Sequence, residues 1–173
     1  MKTLLLAMLF ASTLCFSRTL QVTLAPQDIA LPSAVQIFCE VSYKPQLCQD
    51  HARTLAVHLQ KLPLNRVPGW KFVLVPSNAW PSLMTQIQGL ADSPAFSALT
   101  VKTIVLEEAL FAPSILRQEA LMRSFYSHGE ALIDIALSHE LGHAICMDKD
   151  EVRADEFGKQ LRAGNSPVCH KRR

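Results

Sequence analysis

The sequence predicts an α+β domain, a small and mainly antiparallel sheet packed on helices, and three observations point to it. Two runs rich in β-formers, residues 70–75 and 99–106, lie mid-chain. Apolar residues at helical spacing occupy stretches before and after them. The resulting order is helix, strand, strand, helix, helix, helix. The fifth of these elements carries His139-Glu140-Leu141-Gly142-His143, and the sixth follows it across a short turn.

Composition agrees with one such domain, because 173 residues with 49% hydrophobic and 18% charged side chains suffice for a single good core. Residues 1–17 read as a separate leader. A basic start at Lys2, an apolar run over residues 4–14 and then small or polar residues form the pattern of a secretory signal peptide cleaved after Ser17. Acylation at Cys15 is the alternative, disfavoured by the bulk of Leu14 before it. The apolar run is too short to cross a bilayer core of about 30 Å, and no later stretch reaches ~20 uninterrupted apolar residues. Residues 18–173 are therefore expected to form one domain, secreted or periplasmic, with no stable membrane insertion.

Removing the leader takes away Lys2 and no acid, so the formal charge falls from +2 to +1. Neither value, nor the short basic run Lys171-Arg172-Arg173, makes a nucleic-acid footprint. The leader also takes Cys15, leaving Cys39, Cys48, Cys146 and Cys169. An even number in an oxidising compartment favours two disulfides. Three pairings are possible, and Cys39–Cys48 with Cys146–Cys169 keeps both loops short.

Taken in order, residues 18–44, with Pro26 and Pro32, read as an extended or strand-bearing segment, with a propeptide left open. Residues 46–62 place Leu47, Ala52, Leu55, Ala56, Leu59 and Leu62 at helical spacing, and Pro63 stops that helix. His51 and His58 on it are assigned no role. Trp70-Lys71-Phe72-Val73-Leu74-Val75 alternates as a strand up to Pro76, and residues 99–106, centred on Thr103-Ile104-Val105-Leu106, form a second. Residues 78–96 between them read as a short helix and loops. A helix follows Pro113 to about Arg123. From Glu130 onward, Ala131, Leu132, Ile135, Ala136, His139, His143 and Cys146 make one stripe running from apolar into chemical residues. Asp150 is placed to cap a last helix over residues 151–162, which Gly164 ends.

The chemistry concentrates on these last two helices. Residues four apart on a helix project from nearly one face, so His139 and His143 offer imidazoles one turn apart, the bite that holds a tetrahedral Zn2+ ion. Glu140 flanks that face, where its carboxylate could take a proton from a water the metal activates, making it the expected general base. A catalytic zinc needs a third protein ligand. Glu151 and Asp155, four apart on the closing helix, could supply Glu151 as that ligand and Asp155 as the acceptor of a histidine N–H, that of His139. Asp148 and Asp150 are rival third ligands. Gly142 lowers helix stability by roughly 1 kcal/mol relative to Ala, which predicts a close approach of backbone or substrate there.

Ser138-His139-Glu140-Leu141-Gly142-His143-Ala144 followed by Glu151-x-x-Ala154-Asp155 resembles the gluzincin zinc metallopeptidases, among them the CAAX-prenyl protease type and the minigluzincins. The match covers residues 129–161 and implies a zincin-like fold. Upstream, Asn78-Ala79 and Thr103-Ile104-Val105-Leu106 resemble an Asn-Ala pair and cleft strand of the same type, which implies an extended peptide paired near residues 103–106. The seven residues between His143 and Glu151 resemble metzincin spacing, yet Cys146 and Lys149 stand where metzincins carry Gly and His. His128 and Tyr126 are candidates for stabilising an oxyanion.

The function this implies is a secreted zinc-dependent endopeptidase acting on peptide or protein substrates. The alternative is a zinc-stabilised binding or assembly protein that keeps the scaffold without turnover. A third reading is a structural protein with a fortuitous motif.

Overall fold

A computed structural model describes residue 31 and residues 35–90, 92–111, 117, 119–121 and 131–169. The leader, residues 18–30, and the candidates Tyr126 and His128 lie outside the described residues. So does most of the helix expected after Pro113, of which residues 117 and 119–121 are helical.

The chain builds a sheet from β1 (Gln36–Cys39), β2 (Lys71–Val75), β3 (Ala95–Ala98) and β4 (Thr103–Glu107). The helices whose bounds lie within the described residues are α1 (Pro45–Leu59), α2 (Trp80–Gln86), α3 (Leu132–Cys146) and α4 (Glu151–Arg162). The strand order is β1-β2-β4-β3. β1 runs parallel to β2 and β2 parallel to β4, while only β3 is antiparallel. The α+β class holds, but the expectation of a mainly antiparallel sheet is corrected to a mixed one. The cause is connectivity. α1 carries the chain back between β1 and β2, so these strands run in the same direction. From β2, α2 leads to the outer edge, where β3 runs the opposite way before a single 3-10 turn at residues 99–101 returns it as β4.

β4 carries five buried residues in succession, Thr103 to Glu107, as a strand covered on both faces must. One face packs Phe72, Leu74, Ile104 and Leu106 against Leu55, Leu59, Leu137 and Leu141 of α1 and α3. The other packs Val73, Val75 and Val105 against Trp80 and Met84 of α2. The buried Glu107 carboxylate is paired with Arg117 at 2.6 Å.

His51, read as lacking a role, is buried: it stacks on Phe111 at 5.1 Å and shares a 2.7 Å hydrogen bond with the Tyr43 hydroxyl. His58 contacts Asp134 at 2.5 Å, joining α1 to the start of α3. Both disulfides are the short-loop pairs. Cys39–Cys48 ties β1 to α1, and Cys146–Cys169 ties the end of α3 to the segment after α4. Among the described residues no helix is long and apolar enough to cross a membrane.

Candidate metal centre

α3 departs from the single stripe expected of it. Ile133, Ala136, Leu137, Leu141 and Ala144 enter the core, whereas His139 and His143 face α4. The helix is buried on most of its surface because it lies between the sheet and α4. Small residues make that contact close. A Cβ built on Gly142 would lie 2.9 Å from the Ala154 carbonyl oxygen and 3.0 Å from the Phe157 Cβ, so α4 backbone occupies the space a side chain would need. Buried Ala154, Phe157, Gly158 and Leu161 form the α4 face. The Arg162 guanidinium donates to the Ser138 hydroxyl at 2.6 Å, which in turn donates to the Ile135 carbonyl.

The turn between the helices is built for this crossing. Met147 takes the left-handed conformation, φ 49°, that ends a helix. The Asp150 side chain accepts the Arg153 N–H as the cap of α4. Asp148 is bound twice: its main-chain carbonyl accepts from His143 and its carboxylate is forked by Arg153. Among the described residues, neither Asp148 nor Asp150 belongs to the group of donors that converges on the histidines.

The crossing brings three donors together. His143 Nε2 lies 3.2 Å from His139 Nε2, and Glu151 Oε2 lies 3.1 Å from His139 Nε2 and 3.4 Å from His143 Nε2. For bonds of about 2.0–2.1 Å to a tetrahedral ion, ligand atoms stand roughly 3.3 Å apart, so this triangle matches one face of such a coordination shell.

The other ring nitrogens settle where the protons are. His139 Nδ1 is 2.7 Å from Asp155 Oδ1 and His143 Nδ1 is 2.6 Å from the Asp148 carbonyl oxygen. Both partners accept, so in the neutral rings each Nδ1 carries the hydrogen and each Nε2 presents a lone pair. Two imidazole lone pairs and a carboxylate oxygen then converge within 3.4 Å, which costs free energy unless a cation or proton sits between them. Glu151 is 76% exposed along its side chain, so the cluster opens toward solvent.

Glu140 occupies the inner wall. It is only 5% exposed, and its Oε2 has no hydrogen-bond partner among the described residues. Burial pushes its carboxyl above the usual carboxylate range. The Ser97 hydroxyl, His139 and His143 act the other way, and the Glu151 charge adds to the rise. Ser97, on β3, also donates to the Glu140 main-chain carbonyl at 3.0 Å, fastening the edge strand to α3.

This contact sets β3, and not the strand expected to receive a peptide, beside α3. The strand expected to receive a peptide, residues 103–106, is β4, whose two edges are already paired with β2 and β3. The edge beside α3 belongs to β3. Asn78-Ala79 precedes α2 and takes no part in that edge. Ser97, Arg153 and the Asp148 carbonyl were not predicted; a serine in a four-residue strand and a main-chain acceptor leave no periodic signature.

No protein-family model matches this chain, and comparison with curated proteins and with solved structures finds no similar one. Fold and site thus define the class only as an α+β protein with a His-His-Glu group that could hold a metal ion.

Proposed function

We propose that this protein is a zinc-dependent endopeptidase of the gluzincin type, secreted or periplasmic, with Zn2+ held by His139, His143 and Glu151. One observation carries the reading: three lone-pair atoms at 3.1–3.4 Å, each histidine fixed in the tautomer that offers Nε2. Two imidazoles and a carboxylate suit zinc, and the buried Glu140 oxygen, which has no partner among the described residues, is the adjacent base such a centre uses. When bound, zinc supplies Lewis acidity that lowers the pKa of a water and polarises a peptide carbonyl.

The chain's own residues do the rest. Glu140 takes the proton of the attacking water at its carboxylate and returns it to the leaving amine. Asp155 keeps His139 oriented through Nδ1, and the Asp148 carbonyl does so for His143. An extended peptide adds to the edge of β3 that is unpaired among the described residues, on the strand that Ser97 holds against the site helix. Two disulfides favour an oxidising compartment.

The test is Glu140→Gln assayed on a peptide library together with the zinc content of the purified protein. Hydrolysis by the parent chain, lost in Glu140→Gln at unchanged zinc near 1:1, supports the reading. Zinc-loaded protein inert toward every peptide would instead identify a binding or assembly protein on the same scaffold.

A further inference from the structure

Asp148 sits at the joint between the two halves of the centre, and its two ends serve different halves. Its main-chain carbonyl accepts the His143 Nδ1–H at 2.6 Å. Its carboxylate receives Arg153 in a two-pronged fork, Nε to Oδ2 at 2.6 Å and a terminal nitrogen to Oδ1 at 2.9 Å. The same Oδ1 accepts the Asp150 N–H at 3.1 Å, and Arg153 also reaches Asp150 at 3.2 Å. Arg153 is two residues past Glu151 on α4. The fork therefore closes the turn between the helix bearing His139 and His143 and the helix bearing Glu151.

We propose that Arg153 and the Asp148 carboxylate are positioning residues for the metal centre, a clasp that sets zinc affinity by holding the Asp148 carbonyl on His143 and the first turn of α4 on the histidines. This rests on the reading that His139, His143 and Glu151 bind zinc. The physical case is one of degrees of freedom. Glu151 is well exposed, so its side chain is free to leave the histidines, and what limits it is the fixed start of α4. His143 keeps its orientation through a main-chain acceptor in a turn, and a turn is only as rigid as the contacts that close it. A bidentate guanidinium–carboxylate pair fixes distance and plane together, which a lysine in the same place cannot do. Arg153 is 47% exposed along its side chain and Asp148 17%, so the pair also contributes modestly to folding, and the clasp is read from the loss of metal binding beyond that change in stability.

The experiment measures zinc affinity by competition with a chromophoric chelator, and the visible spectrum of the cobalt-substituted protein. The variants are Arg153→Ala, Asp148→Ala, the double variant and Arg153→Lys. Asp148→Ala keeps the main-chain carbonyl and removes the fork together with the bond from the Asp150 N–H, whereas Arg153→Ala removes the fork and leaves that bond in place. Each single alanine variant is expected to weaken zinc binding about ten-fold, in the range for lost outer partners of a metal ligand. The double variant should bind no more weakly than the weaker-binding single one, Arg153→Lys should recover little, and the cobalt spectrum should change in all four while the thermal midpoint of the metal-free protein falls only modestly. Unchanged affinity and spectrum, or independent losses that multiply in the double variant, would overturn the clasp while leaving the zinc centre standing. A parent chain that binds no zinc would overturn the centre itself and the clasp with it.

Discussion

The backbone of His139 and the Cα of Gly158 are packed so closely that a Cβ on Gly158 would lie 3.1 Å from the His139 nitrogen and 3.2 Å from its Cα. Gly142 makes the reciprocal approach to Ala154 and Phe157. Glu151 and Asp155 reach the histidines because two glycines let α3 and α4 cross without intervening side chains.

Gly142→Ala should therefore act against its own helix propensity. Alanine favours a helix by roughly 1 kcal/mol over glycine. Here the added methyl meets a main-chain carbonyl that cannot rotate away, and overpacking costs about 1–3 kcal/mol. The expected outcome is a lower thermal midpoint with weakened zinc binding. A variant as stable as the parent and equal in zinc affinity would show that the helices tolerate separation.

Asp155→Asn should leave the fold intact and lower zinc affinity by about 10–100-fold, because the amide is a poorer acceptor for the His139 N–H and no longer favours the metal-binding tautomer. Chelator competition on the purified variant measures it, with circular dichroism to confirm helix content.

Stability below neutral pH should depend on His51. Burial lowers its pKa, opposed by the charges of Glu108 and Asp50, so the native ring resists protonation relative to the unfolded chain. The stabilisation from this group is complete above the unfolded pKa of about 6.5 and is lost as the pH falls from there through the lower folded value. His51→Gln, which can still partner the Tyr43 hydroxyl, should lose less stability between pH 7 and pH 5 than the parent does, measured by urea midpoints. An equal acid loss in both proteins would assign it to other groups.

Replacing Cys169 by Ser should cost about 3 kcal/mol, the loop-closure entropy expected for a bridge joining residues 23 apart. Arg66, which donates to the Pro167 carbonyl at 3.1 Å, holds the same segment less firmly. Thermal unfolding of Cys169→Ser, compared with the oxidised parent, gives the magnitude.

What could be read from the sequence was what repeats. Helix-spaced leucines located α1, the run Phe72-Val73-Leu74-Val75 located β2, and the i, i+4 spacing of His139 and His143 put both imidazoles on one face. The Asp150 cap and the end at Gly164, φ +75°, were visible as local chemistry. Strand β3 was not, because Ala95-Phe96-Ser97-Ala98 has neither length nor β-branched residues to distinguish it from a loop. Sheet direction was also hidden, since alternation along a strand is the same whether its neighbour runs parallel or antiparallel. The core-facing stripe of α3 was missed because the helix is apolar on several faces, and which face meets α4 depends on where the glycines allow contact.

The Cys146–Cys169 bridge has a consequence for α4 as a whole, since residues 151–162 lie entirely inside the loop it closes. Glu151 is tethered to the histidine pair from both directions along the chain, by the turn on one side and by the bridge on the other. A third donor tied at both ends has a high effective concentration at the other two, and rebinds after each excursion faster than it can be lost to solvent. The three donors should thus behave as a chelate, with ion exchange governed by brief openings of one outer helix and without unfolding of the sheet.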